Sequence, residues 1–130
     1  MPQITIAKVR DEPRAATMHI DIVGDDGGDL IGEVIVDPAV TFDLASASMC
    51  IDKIQYGLVD FNCRLAFEYP TGIVRAWSIA KGNGGTDFNW FGSLPDRSTE
   101  MGGCGKLTLT TSGLKAGRYG SMIIALTKKR

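Results

Sequence analysis

Leu107-Thr108-Leu109-Thr110-Thr111-Ser112-Gly113-Leu114-Lys115-Ala116-Gly117-Arg118-Tyr119 decides the fold class of this chain. Leu107 to Thr111 alternates apolar and hydroxyl side chains, the period of a half-buried strand. Ser112 to Gly117 carries the glycines of a turn. Tyr119 then opens an apolar run that lasts through Leu126. Strand, corner and closing strand in this order end many β-sandwiches.

The same period runs back along the chain. Phe61, Cys63, Leu65, Phe67 and Tyr69 alternate against Asn62, Arg64, Ala66 and Glu68, the cleanest strand pattern present. Pro70-Thr71-Gly72 turns into Ile73 to Ala80, where Ile73, Arg75, Trp77 and Ile79 share one face, with Trp77 expected in the core. Met49 to Val59 is apolar and β-branched, and Gly57 is read as a bulge or bend. Towards the start, Gln3 to Val9, His19 to Val23 and Leu30 to Val36 read as strands. Asp11-Glu12-Pro13-Arg14 breaks the first, because proline removes a ladder donor. Asp25-Asp26-Gly27-Gly28-Asp29 reads as a hairpin turn.

Three stretches have no clean period. Thr41 to Ser48 is expected as an excursion between sheets, with room for one helical turn at Leu44 to Ala47. Lys81 to Thr86 is glycine-rich and reads as a flexible loop, leading into the aromatic segment Asp87-Phe88-Asn89-Trp90-Phe91. Gly92 to Gly105 is polar and turn-rich, and a loop of about that length is more often functional or interfacial than idle. About seven to nine strands with scarcely a helix signal imply one all-β domain over 1–130, an antiparallel sandwich of immunoglobulin-like or jelly-roll-like topology. Gly117-Arg118-Tyr119 looks like a tyrosine corner.

Composition narrows the function classes. A net charge of −1 gives no electrostatic footprint for nucleic acid. Lys128-Lys129-Arg130 reads as a solvated basic end. No apolar run reaches the ~20 residues of a membrane helix, and no charged-then-apolar leader precedes the first strand, so synthesis without export from the cytosol is expected. Charged residues make up 22%, below the roughly 25% of average domains, and glycines number 16. Depletion of charge is what assembly interfaces show at their centres.

Reactive groups are sparse. His19 is the only histidine and reads as a solvent-facing strand residue, so a Ser-His-Asp or Cys-His arrangement lacks a base. Asp52, Asp60, Glu68 and Asp87 could supply a carboxylate pair, but each falls on a polar face or turn. Asp25 to Asp29 lacks the alternating ligands and distal Glu of a calcium loop. Gly82 to Gly85 lacks the Lys-Ser/Thr of a phosphate loop. Cys50, Cys63 and Cys104 show no metal-binding spacing and are expected reduced. No catalytic, metal or cofactor site is expected. The residues set apart as a candidate interface are Phe88, Trp90 and Phe91, either core or an exposed aromatic platform beside a glycine loop.

The lack of a leader, the unpaired cysteines, the glycine-rich strands and the ending Leu107 to Tyr119 resemble, in size and texture, the small all-β structural proteins of tailed bacteriophage virions. The resemblance spans the whole chain and rests on style, with no diagnostic motif and no site residues to carry over. It implies a non-enzymatic virion component, most of all a capsid decoration or cement protein. Its partners would be copies of itself, the major capsid protein or another virion protein. Its location would be the virion, after synthesis in the host cytoplasm. The alternative is a carbohydrate- or host-binding β-sandwich module.

Overall fold

The computed structural model describes residues 2–37, 48–69, 72–87, 94–95 and 106–129. For residues 48–49, 69, 72–76, 94–95 and 128–129 it describes the backbone alone. The described residues form ten strands: β1 (Gln3–Asp11), β2 (Ala15–Val23), β3 (Glu33–Val36), β4 (Ser48–Leu58), β5 (Asn62–Tyr69), β6 (Gly72–Ile79), β7 (Gly82–Asp87), β8 (Leu94–Pro95), β9 (Lys106–Ser112) and β10 (Tyr119–Lys129). The larger sheet runs β1-β2-β10-β4-β7, with β8 also on β4. The smaller sheet runs β3-β9-β5-β6. All pairings are antiparallel.

Alternation builds the core between the sheets. On β2, Ala16, Met18, Ile20 and Ile22 are buried while their neighbours face out. On β5, Phe61 just ahead of the strand, then Cys63, Leu65 and Phe67, are buried as their spacing predicts. Both sets join one cluster with Ile54, Leu58, Leu107, Leu109, Met122, Ile124 and Leu126. Trp77 packs against its margin. Two antiparallel sheets sharing one apolar layer are a β-sandwich.

Several sequence expectations need correcting. Gly57 does not bulge: both ladders of β4 run through it in regular register. The extra residue is Asp52, which explains why Ile51 and Ile54, three apart, both point inward. Lys81 to Thr86 is no flexible loop, because Gly82 to Asp87 forms β7 along β4. Glycine is needed there for close approach. A Cβ on Gly84 would stand 2.8 Å from the Tyr56 hydroxyl, which lies across it. Leu30 to Val36 is strand only from Glu33. Leu94–Pro95 inside the long polar stretch pairs with Cys50 and Ile51. The excursion expected at 41–47 lies outside the described residues.

Asp25 to Asp29 is also not a hairpin turn. It carries the chain from β2 in the larger sheet to β3 in the smaller one. Asp25 Oδ1 accepts the Gly27 N–H at 2.7 Å, a local Asx-type bond. Asp29 works at long range. Its Oδ1 accepts the Leu114 N–H at 2.8 Å and the Thr111 hydroxyl at 2.9 Å, and its Oδ2 accepts the Gly113 N–H at 3.3 Å. Thr111 in turn exchanges bonds with Leu30, accepting its N–H at its own hydroxyl and donating its N–H to the Leu30 carbonyl. The β2–β3 crossover is thereby fastened to the β9–β10 turn. Burial pushes the Asp29 carboxyl up, but the bonds from Leu114, Thr111 and Gly113 outweigh it and hold it below its ordinary value.

The expected tyrosine corner is absent. The Tyr119 ring is 59% exposed. The corner is closed by its neighbour instead: Arg118 donates Nη1–H to the Gly113 carbonyl at 2.6 Å, and its own carbonyl accepts the Gly24 N–H at 2.8 Å.

Candidate functional site

The outward rows of the larger sheet follow from its register, and one of them, Arg10, Thr17, Ala125, Lys53 and Asp87, is charged. Ala7, His19, Ile123, Gln55 and Gly85 form one row across five strands. Thr5, Asp21, Ser121, Gly57 and Asn83 form the next, and Gln3, Val23 and Tyr119 the third. Val59 lies beside this last row, donating its N–H to the Tyr119 carbonyl at 2.9 Å.

This face is apolar for a solvent surface. Tyr119, Val23, Ile123 and Val59 are 59%, 52%, 42% and 39% exposed. Glycines at 57 and 85 add no side chains to cover the sheet, so shallow grooves of about 330 and 500 Å³ open beside His19 and Gln55 and between Val23 and Tyr119. The charge within the three rows is one pair, His19 Nε2 and Asp21 Oδ1 at 3.3 Å, both well exposed. His19 thus faces solvent, as its place in the alternation requires. Val23, Val59 and Tyr119 stand together at one end of these rows, and Ile123 lies two rows away beyond Asp21 and Ser121. Exposed apolar residues among polar groups are the usual mark of a docking surface.

The outer face of the smaller sheet has different chemistry. Asn62, Arg64, Ser78, Thr110 and Ser112 line a groove of about 450 Å³ there. Its hydroxyl, amide and guanidinium groups are set among apolar surface from Cys63, Ile79 and Ala80. Several are already engaged: Thr110 Oγ1 accepts the Gly32 N–H, and Asn62 Oδ1 accepts the Lys81 N–H, each at 2.9 Å.

The candidate reactive groups are dispersed. Asp52 sits at the β4 bulge and accepts the Thr127 hydroxyl at 2.5 Å. Asp87 ends β7 opposite Lys53. Asp60 occupies the β4–β5 turn with φ of 62°. Glu68 belongs to the other sheet. Burial pushes the Cys63 thiol up to about 12, so it stays protonated and unreactive at neutral pH. Cys50 and Cys63 are both buried and unpaired. Among the described residues no group of His, Cys, Asp and Glu is arranged to hold a metal ion, and no helix is long and apolar enough to cross a membrane.

Phe88, Trp90 and Phe91, singled out from sequence as a candidate interface, lie outside the described residues, as does Cys104. The outward apolar residues Val23, Val59, Tyr119 and Ile123 escaped the sequence reading. Their signal was there: Ile123 and Tyr119 hold the odd positions of β10, opposite the buried Met122 and Ile124. An unbroken apolar run on a strand that faces water on one side is the available clue. No protein-family model matches the chain, and no curated protein or solved structure is significantly similar to it.

Proposed function

We propose that this protein is a non-enzymatic structural component of a bacteriophage virion, a capsid decoration or cement protein that reinforces the shell through protein–protein contacts. The observation that carries this reading is the set of outward apolar side chains on the larger sheet, Val23, Val59 and Tyr119 together and Ile123 two rows away. A flat surface of low charge, with an aromatic ring standing on it, suits a rigid partner whose own surface is preformed. Low overall charge supports the same reading, as does the texture shared with small phage virion proteins.

Co-sedimentation with purified particles tests it. The wild-type chain should pellet with shells, and Tyr119→Ser with Ile123→Ser should remain in the supernatant while keeping a native fold. Absence of wild-type binding to every virion fraction would remove the proposal.

A second reading is favoured by one observation. The groove on the smaller sheet presents Asn62, Arg64, Ser78, Thr110 and Ser112, the hydroxyl, amide and guanidinium groups that recognise sugars. A glycan-binding module would show saturable binding on a glycan array, lost in Arg64→Ala and retained in Tyr119→Ser.

A further inference from the structure

β1 ends the larger sheet, and among the described residues nothing pairs with its other edge. It is a long strand for so exposed a position, from Gln3 to Asp11. Exposed edges of that length template the pairing of another chain unless they are blunted. The second half of β1 is blunted. Val9 is an extra residue in the ladder with β2, and Lys8, Arg10 and Asp11 bring charge to it. Lys8 Nζ pairs with Asp11 at 3.4 Å, and Arg10 Nη2 with Glu12 at 2.6 Å.

The first half has none of these devices. Gln3-Ile4-Thr5-Ile6-Ala7 is uncharged, free of proline and in unbroken register with Val23 to His19. Ile4 and Ile6 belong to inward rows of the sheet, opposite the fully buried Ile22 and Ile20. Yet Ile6 remains 37% exposed, because the sandwich opens beside it. A groove of about 380 Å³ lies there between β1 and β3, lined by Ile6, Lys8, Met18, Val34, Ile35 and Asp37. Val34 is likewise exposed on its rim.

We infer that the free edge of β1 pairs antiparallel with the β1 of a second copy, about a two-fold axis at Thr5. The occupant follows from the register. A two-fold axis perpendicular to the sheet keeps inward residues opposite inward residues. Centred on Thr5, it sets Ile6 against Ile4 of the second copy and Gln3 against Ala7. All of the uncharged half is then paired with itself. The register ends where Lys8 meets Pro2, which has no N–H to donate. Centring on Ile6 would instead place Lys8 against Ile4. The Thr5 axis also carries the apolar inner rows across the junction. Ile4 of each copy comes to stand beside Ile6 of the other, at the mouth of the groove on whose rim Val34 is exposed. Such an isologous contact is small and closes on itself, so a weak dimer is expected rather than a fibre.

Sedimentation analysis of the full chain, away from any particle, tests this independently of the virion reading. At about 100 µM the wild type should show a monomer–dimer equilibrium, since contacts this small are weak. Thr5→Lys places like charges opposite each other at the axis and should weaken association about fivefold at low salt, with partial recovery in high salt. Ile6→Lys should weaken it about tenfold or more by removing an apolar contact on both copies. Val9→Lys, beyond the paired stretch, should leave it unchanged. Should Ile6→Lys fail to fold, the exposed Thr5 position decides alone. A monomeric wild type at this concentration overturns the inference. So does a dimer untouched by Thr5→Lys, or one weakened equally by Val9→Lys.

Discussion

The two sheets share one core but turn different chemistry to the outside. On the smaller sheet Thr110, Ser112, Asn62, Arg64 and Glu68 stand on the outer face around the buried Thr108 and Ala66, and Thr108, Thr110 and Asn62 bond neighbouring backbone. On the larger sheet the outward positions of β2 and β10 include the exposed Val23, Tyr119 and Ile123 beside Thr17, His19, Asp21 and Ser121. Exposed apolar side chains on an outer face are what a docking partner would cover.

That contrast can be broken most severely from inside. Phe67 lies in the inner layer, 1% exposed, and Phe67→Ala should cost about 3–5 kcal/mol in chemical denaturation. A cost near that of a surface residue would mean that the sheets do not enclose it. Gly120 is the next probe. A Cβ there would stand 2.8 Å from the Gly57 carbonyl oxygen and 3.0 Å from the Phe61 ring. Gly120→Ala should therefore cost about 1–3 kcal/mol through overpacking, read from the same denaturation midpoint.

Asp29→Ala tests the fastening between the sheets. Loss of three hydrogen bonds to an exposed carboxylate should cost about 1–2 kcal/mol at pH 7. The sign with pH is fixed by the lowered value of Asp29 in the folded state. Its contribution is complete above the ordinary carboxylate range of about 4 and is lost as pH falls through the folded value. Denaturation at pH 7 and at pH 3 should show the gap between wild type and variant narrowing at the lower pH. The smallest effect sharpens the comparison of outer faces. Tyr119→Ser and Ile123→Ser should each change stability by about 0.5 kcal/mol or less, while particle binding is lost. A large loss of stability would make Tyr119 a structural residue after all.

Much of this architecture could be read from residue order. The alternation of Phe61, Cys63, Leu65 and Phe67 located β5 and its buried face, because one side meets the core and the other meets water. β7 was not legible in the same way. Gly82-Asn83-Gly84-Gly85 carries the composition of a loop, and its strand character comes from β4 alongside it, where Tyr56 needs the space that glycine leaves. Asp29 reads as a turn former because its local setting is visible in sequence, whereas Leu114 and Thr111 lie more than eighty residues away. Tyr119 was placed at a corner by its neighbours Gly117 and Arg118, and only the register with Val23 shows that its ring faces out. The site itself was least legible: the aromatic segment at 88–91 stands out by composition, while Val23, Val59 and Tyr119 meet only through sheet pairing.

The divided flank of β4 has a consequence for how this chain can vary. Asp87, the last residue of β7, is opposite Lys53, and Leu94, the first of β8, is opposite Ile51. The chain therefore leaves β4 and rejoins it at nearly the same point, with Asp52 marking the seam. Residues 88–93, which include Phe88, Trp90 and Phe91, join these two anchors in sequence. Lengthening a span whose ends are already held together costs little, about 0.6 kcal/mol for each doubling. The sandwich offers here a cassette position, where evolution or an engineer can exchange recognition sequence while the host domain keeps its register.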